Sequence, residues 1–280
     1  IIRDETLPSA FNVTSVTSTI GRVVGGYYNT TNDGIDVVVP IEDDASLAGG
    51  NVQLKASLDG GSTYSNIGAT SYSISSVNTN LICTISDTQF TDIVGTGNAT
   101  FQAIISDIAG NPKTSTNTIS LIRDETPPSV SNVTSTKADG SYKEGEEIEI
   151  KIKFSELVNV TGNPQLALNS GGTATFDTSL GTSGRSTTTN TNDTLHFKYT
   201  VLAGHNTLDG ATITYLNYVA TSSLTLNGGT IRDVAGNDAT QTLPAITDSN
   251  SLKDREIQID TTVPIKPELT SITPSGGTVV

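Results

Sequence analysis

The stretch IIRDETLPSAFNVTS at residues 1–15 returns as LIRDETPPSVSNVTS at residues 121–135. No other feature limits the fold so tightly. Self-similarity at a period of about 120 residues means a chain built from repeated modules, each large enough to bury its own core. The signpost comes a third time: Asp4 opens DETLP, Asp124 opens DETPP and Asp260 opens DTTVP. A second signpost travels with it, DIAGN from Asp107 and DVAGN from Asp233. LIRD at 121–124 ends an apolar stretch and closes a module. IIRD at 1–4 therefore reads as the closing strand of a preceding module, and IKPELTSITPSGGTVV as the start of a further one. The expected layout is 1–4 as the end of a preceding module or linker, modules at 5–123 and 124–263, and 264–280 as linker and the start of another. An array running past both ends is the expectation, and a two-module mature protein with loose tails is the alternative.

Within each module the hydrophobic period is two, which buries one face of a strand and wets the other. Ile148, Ile150, Ile152 and Phe154 alternate with Glu147, Glu149, Lys151 and Lys153. Val52, Leu54, Ala56 and Leu58 do the same before the turn Asp59-Gly60-Gly61. Leu195, Phe197, Tyr199 and Val201 form a third such face, Ile35, Val37, Val39 and Ile41 a fourth, and Ile257 and Ile259 a short fifth. No helical period stands out. Many short strands joined by Gly, Asn, Asp and Pro turns predict β-sandwiches.

The charge balance narrows the partners. Fifteen Lys and Arg against 29 Asp and Glu leave a net charge of −14. That field repels nucleic acid and anionic membrane and suits a divalent cation. The lone Cys83 cannot form an internal disulfide and lies in the apolar setting NLICTIS, where it reads as a small core residue. No run of 18 apolar residues predicts membrane insertion, and no basic-then-apolar leader opens the chain. The Thr, Ser, Asn and Gly that fill the rest match exported surface proteins.

The second module carries GHNTLDG, LTLNGGTIRDVAGNDATQTLP and SLKDREIQIDTTVP, preceded by YKEGEEIEIKIKFSELVNVTGNPQLALNSGGTATF. Over nearly all of 124–264 this resembles the immunoglobulin-like (cadherin-like) tandem repeats of large bacterial surface adhesins and cell-envelope proteins. The first module resembles the same broad class through FQAIISDIAGN, DGGSTYSNIG and its DET linker. The resemblance implies an all-β chain of two tandem immunoglobulin-like β-sandwich domains at an extracellular or cell-surface location. Two departures accompany it. The family places an acid after the Ala-Gly pair where His205 stands here, and the polar run SLGTSGRSTTTNTND at 179–193 predicts a longer loop.

In such a sandwich the acidic signposts converge. The linker Asp precedes the first strand. The second strand returns to the same pole and finishes at Glu156, or in the first module at Glu42, Asp43 and Asp44. The loop before the last strand brings Asp233 and Asn237, or Asp107 and Asn111. Two carboxylates about 4 Å apart repel by about 4 kcal/mol at an effective dielectric near 20. Ca²⁺ is the expected compensation, being a hard cation that takes about 6–8 oxygen ligands. The candidate ligands are Asp4, Glu42, Asp43, Asp107 and Asn111 at the first joint, Asp124, Glu156, Asp233 and Asn237 at the second, and Asp260 at the next. The plainer reading gives the same residues to turns, since Asp caps DET-P and Asp-x-Ala-Gly-Asn well without metal. No 12-residue run has EF-hand spacing. The prolines of TPP at 126–128 stiffen the linker.

Catalysis finds little support. His196 falls on the wet face of its strand, His205 sits in a turn, and neither a nucleophile elbow nor a phosphate loop is present. An internal isopeptide bond needs a buried lysine, yet Lys55, Lys151, Lys153 and Lys198 all fall on polar faces. Sequons stand at Asn12, Asn29, Asn98, Asn132, Asn159 and Asn192, and Tyr27-Tyr28 is the one aromatic pair. The expected role is a stiff, non-enzymatic stalk with Ca²⁺ at its joints. Its partners are neighbouring modules of the same chain and, through other regions, a host, prey or other cell surface. A surface-layer or envelope lattice with lateral self-assembly is the alternative, and a ligand- or glycan-binding module is a third reading.

Overall fold

Ile148, Ile150, Ile152 and Phe154 all point inward from one long strand, Glu147–Thr161, as their alternation requires. The structure, a computed structural model, describes residues 4–180, 192–209, 212–264, 266 and 268. The closing strand expected at 1–3, most of the loop expected at 179–193 and most of the further module expected at 264–280 lie outside these residues. The described chain is all-β, with sandwich-type packing, and no described helix is long and apolar enough to cross a membrane.

The buried apolar side chains form two clusters, one drawn from Phe11 to Leu121 and the other from Val133 to Ile259. The first lies between two sheets. One runs Ser15–Ser18, Gly34–Ile41, Thr79–Ser86, all antiparallel. The other runs Tyr27–Tyr28, Ile119–Arg123, Gly97–Ser106, Asn51–Ser57, Ser65–Ser73, antiparallel except for the first pair. Each sheet has one face on the core and one in water, which is why single-faced alternation appears in the sequence. Cys83 belongs to this core, and burial pushes its thiol up to about 12.

Two details of the first module depart from expectation. Leu58 is 53% exposed because the strand stops one residue earlier. Ser57 turns inward instead, and its hydroxyl donates to the Asp59 carboxylate at 2.7 Å and accepts from Gly61 N–H at 2.8 Å. The turn takes the backbone out of phase before Leu58 can follow Ala56. A five-residue α-helix, Asp87–Thr91, also interrupts the strands. Ser86 and Gln89 close a reciprocal capping box around its start. It exists to bring Phe90 under the core, 4.8 Å from the Tyr28 ring and 6.3 Å from Phe101. One helical turn is too short to leave a period.

The second cluster is covered on one side by a seven-stranded sheet. Its order is Val130–Ser135, Glu147–Thr161, Asn192–Thr200, Thr173–Phe176, Gln165–Ala167, Leu224–Thr225, with Thr230–Arg232 also on Glu147–Thr161. A parallel pair, Gly140–Tyr142 with Ile257–Ile259, buries Ile257 and Ile259 against it. Full burial of a side chain such as Phe197 contributes about 1.5–3 kcal/mol.

The fifteen-residue strand does two jobs. Up to Lys153 it pairs with Asn192–Thr200, and from Asn159 it pairs with Thr230–Arg232. The register shifts between Lys153 and Val158. Such a bulge bends a strand and re-aims the side chains within it. Glu156 lies inside that bend and in phase with buried Phe154 and Val158, so an acid occupies an inward position.

Candidate functional site

The three Asp signposts form the same local turn. Thr6 N–H donates to Asp4 Oδ1 at 3.0 Å, Thr126 N–H to Asp124 Oδ1 at 3.1 Å, and Thr262 N–H to Asp260 Oδ1 at 2.9 Å. A short acceptor two residues ahead of a backbone donor is the geometry Asp favours. The strands before the second and third signposts enter in the same way. Asp124 N–H donates to Tyr28 O at 2.8 Å, and Asp260 N–H to Tyr142 O at 3.0 Å. The repeated words thus share one Asp turn, and at Asp124 and Asp260 one backbone pairing of the strand that leads into it.

At the second joint the turn places Asp124 beside two other acids. One carboxylate oxygen from each of Asp124, Glu156 and Asp233 lies within 4.8 Å of the others. The linker supplies the first, the bend of Glu147–Thr161 the second, and the loop after Thr230–Arg232 the third. Asp233 is buried and well held: its Oδ1 accepts from Gly236 N–H at 2.6 Å and Asn237 N–H at 2.8 Å. Its Oδ2 accepts from the Asn237 side-chain amide at 2.8 Å, and that amide also donates to the Asp124 carbonyl at 2.8 Å. Desolvation, then the charges of Asp233 and Asp124, push the Glu156 carboxyl above its ordinary range. Among the described residues no ion pair involves any of the three acids. Arg123, next to Asp124, is engaged by Glu125, and Arg232, next to Asp233, by Asp238.

The donor set is hard oxygen throughout, without His or Cys. It fits Ca²⁺ or Mg²⁺ and not a softer metal. Asp124, Glu156 and Asp233 are the residues that would hold such an ion, and Asn237 the one that orients Asp233.

The first joint shares the scaffold. Asn111 N–H donates to Asp107 Oδ1 at 2.8 Å, and the Asn111 amide to Asp107 Oδ2 at 2.8 Å and the Asp4 carbonyl at 3.3 Å. The acids of the adjacent segment are arranged differently. Glu42 and Asp43 are exposed, and Asp44 caps the 3-10 turn Ala45–Leu47 by accepting from Ser46 N–H at 2.9 Å. Among the described residues, the group at Asp124 is the one place where three carboxylates gather. Asp260 has its turn and its bond to Tyr142, while most of the segment it leads into lies outside the described residues.

Several residues at the second joint are not among the sequence candidates. Asn29, a sequon residue, is wholly buried, and its amide donates to the carbonyls of Arg22 and Ala235 at 2.8 Å each. That geometry leaves no room for a glycan. Thr30 N–H donates to Asn237 Oδ1 at 2.8 Å, and Arg22 reaches the Gly236 carbonyl and Asp238. A tract of Asn and Thr beside Tyr27-Tyr28 was the available signal, and it reads equally as a loop packed on its own core.

The histidines are structural partners. His196 is not a free surface residue as the alternation suggests: its Nδ1 lies 2.5 Å from Glu149 Oε1, an acid two residues along the neighbouring strand's wet face from its own cross-strand partner Lys151. His205 Nδ1 lies 3.0 Å from the Tyr199 hydroxyl and accepts from Leu202 N–H at 3.1 Å. Tyr199 in turn meets buried Ser170 at 2.9 Å. Where the resemblance implies an acid, this chain has a ring stacked on Tyr199.

No family model matches the chain. No curated protein matches it either. Among solved structures it is similar to the C-terminal domain of the Streptococcus pyogenes antigen I/II-family protein AspA, at 10% identity and a TM-score of 0.30, over 84% of this chain and 98% of that one. It is also similar to BspA_C_WT, at 13% identity and a TM-score of 0.26, over 78% of this chain and 97% of that one. At TM-scores of this size the likeness carries no argument about function.

Proposed function

We propose that this chain is a non-enzymatic structural stretch of a cell-surface protein, in which tandem sandwich modules form a stiff stalk and Ca²⁺ fastens the joint between them. The observation that carries the reading is the convergence of Asp124, Glu156 and Asp233 from three separate segments within 4.8 Å, with no ion pair to any of them among the described residues. Folding brings these carboxylates together against their own repulsion, and a bound divalent cation turns that cost into a fastening. Because Asp124 belongs to the linker and the other two to the second module, an ion there ties the linker to the module it enters. Extracellular sites of this class bind at about 10⁻⁴ to 10⁻³ M, which suits an environment rich in calcium.

The test is thermal unfolding in excess EDTA, then with Ca²⁺ restored, and with Mg²⁺ in parallel. Calcium-dependent stabilisation that Asp124→Ala abolishes supports the reading. No shift at several times the weak limit of such sites, roughly 10⁻³ M, removes the metal and returns the acids to turn-making.

A further inference from the structure

We infer that the joint carries a second fastening that needs no metal, a clamp in which Asp238 and Arg232 of the second module read an arginine, Arg22, presented by the first. Arg22 stands in the loop ahead of Tyr27–Tyr28. Its guanidinium donates to the Gly236 carbonyl and lies 3.1 Å from Asp238 Oδ2. The other oxygen of Asp238 accepts from Arg232 Nε at 2.5 Å. One carboxylate therefore joins two guanidiniums, one from each module, through charge-assisted hydrogen bonds.

The surroundings are built for this approach. Asn29, wholly buried, bridges the carbonyls of Arg22 and Ala235, and Thr30 caps Asn237. Gly236 takes a positive φ of 97°, and a Cβ there would meet Val24 Cγ2 at 2.9 Å, Arg22 Cδ at 3.2 Å and Asn29 Nδ2 at 3.3 Å. The backbone of one module sits where only glycine leaves room for the other.

The corresponding loop of the first module shows what is particular to this joint. Asp107–Asn111 repeats the hydrogen bonds of Asp233–Asn237. It has Pro112 where Asp238 stands and Ser106 where Arg232 stands, so neither the carboxylate nor the second guanidinium of the clamp is present there. The Asp-x-Ala-Gly-Asn turn is thus common to both modules, whereas the clamp belongs to the second alone. It selects a neighbour that brings an arginine, and it makes the order of modules chemically legible at the joint.

The clamp is distinct from the proposed cation site, and the experiment keeps them apart. Residual dipolar couplings are measured on the full chain in excess EDTA for the wild type, Arg22→Ala, Asp238→Ala and the double variant. The expected result is one alignment tensor shared by both modules in the wild type, lost in each single variant, with the double variant no looser than either single one. Amide spectra of the two cores report that both modules remain folded. Independent alignment of the modules in the metal-free wild type overturns the clamp, as does a shared tensor that survives Arg22→Ala. A shared tensor in a protein that fails to bind Ca²⁺ defeats the metal reading and leaves the clamp standing.

Discussion

Thr30 N–H donates to the side-chain oxygen of Asn237 at 2.8 Å, across 207 residues of sequence. Asn237 is wholly buried, and its amide nitrogen is spent on the Asp124 carbonyl and on Asp233. One side chain thus satisfies the first module, the linker and its own loop. Removing it leaves a backbone N–H and a carbonyl without partners in a closed space, at about 1–3 kcal/mol for each such group. Asn237→Ala is expected to cost about 3 kcal/mol in total and to lower the melting temperature of the second module by roughly 6–12 °C. Asn111→Ala is expected to cost visibly less, because the Asn111 amide meets the Asp4 and Thr6 carbonyls only at 3.3 and 3.4 Å and is half-exposed. Calorimetry on both variants checks the ranking, and equal losses would defeat it.

Gly236 and Gly110 offer a matched pair. Both have a positive φ, 97° and 91°, so alanine strains each backbone by about 1 kcal/mol. At Gly236 the new Cβ meets Val24, Arg22 and Asn29 of the other module, whereas among the described residues nothing lies within 4 Å of one at Gly110. Gly110→Ala is expected to lower stability slightly and leave the joint alone, while Gly236→Ala separates Arg22, Val24 and Asn29 from the loop. Dipolar couplings compared between the two variants isolate the docking from the backbone strain. If the joint survives Gly236→Ala, the close approach is not required.

Acid should open the clamp. Burial pushes the Asp238 carboxyl up, but hydrogen bonds from Arg232 and then Arg22, with their charges, outweigh it and hold it below its ordinary range. A depressed folded pKa contributes stability that is fully present above the unfolded value of about 3.9 and is lost as pH falls through the folded one. The joint is therefore expected to stay fixed down through pH 4 and loosen below it. Arg22→Ala is expected to move the Asp238 carboxyl resonance upward in pH. A titration of that resonance by NMR, beside the dipolar couplings, reads both effects, and an unmoved midpoint would separate Arg22 from Asp238.

How much of this was legible depends on how local the cause is. Ile148, Ile150, Ile152 and Phe154, like Ile35 to Ile41, follow from one-sided burial, which prints its period directly on the sequence. Asp124, Glu156 and Asp233 were within reach because a sandwich returns alternate strands to the same pole, and the bend at Glu156 keeps an acid in an inward phase. Leu58 was misplaced because Ser57, not the alternation, decides where the strand stops. The helix Asp87–Thr91 announces itself only through its capping pair, Ser86 and Gln89. Arg22 and Asp238 were out of reach, since no periodicity in either segment reports a contact made only when two modules dock.

Glu156 separates the two readings of the acidic group most sharply. Its carboxyl is raised above the ordinary range by desolvation and by Asp233 and Asp124, so its ionised form opposes folding. The sign follows from linkage: a raised carboxyl pKa means the folded state holds the proton more tightly, and stability declines as pH rises through the folded value. Glu156→Gln keeps the shape and removes the charge. In EDTA near neutral pH the variant is expected to be more stable than the wild type, by on the order of 1 kcal/mol for two like charges at this separation in a water-like dielectric. That corresponds to roughly 2–4 °C in melting temperature. In millimolar Ca²⁺ the order should reverse, because the wild type gains an ion that the amide binds poorly. A crossing of the two melting curves with calcium is the signature of a cation site built from mutually repelling ligands. A variant less stable under both conditions would mean that the Glu156 carboxylate is itself a hydrogen-bonding part of the turn, and the acids would then serve the fold without the ion.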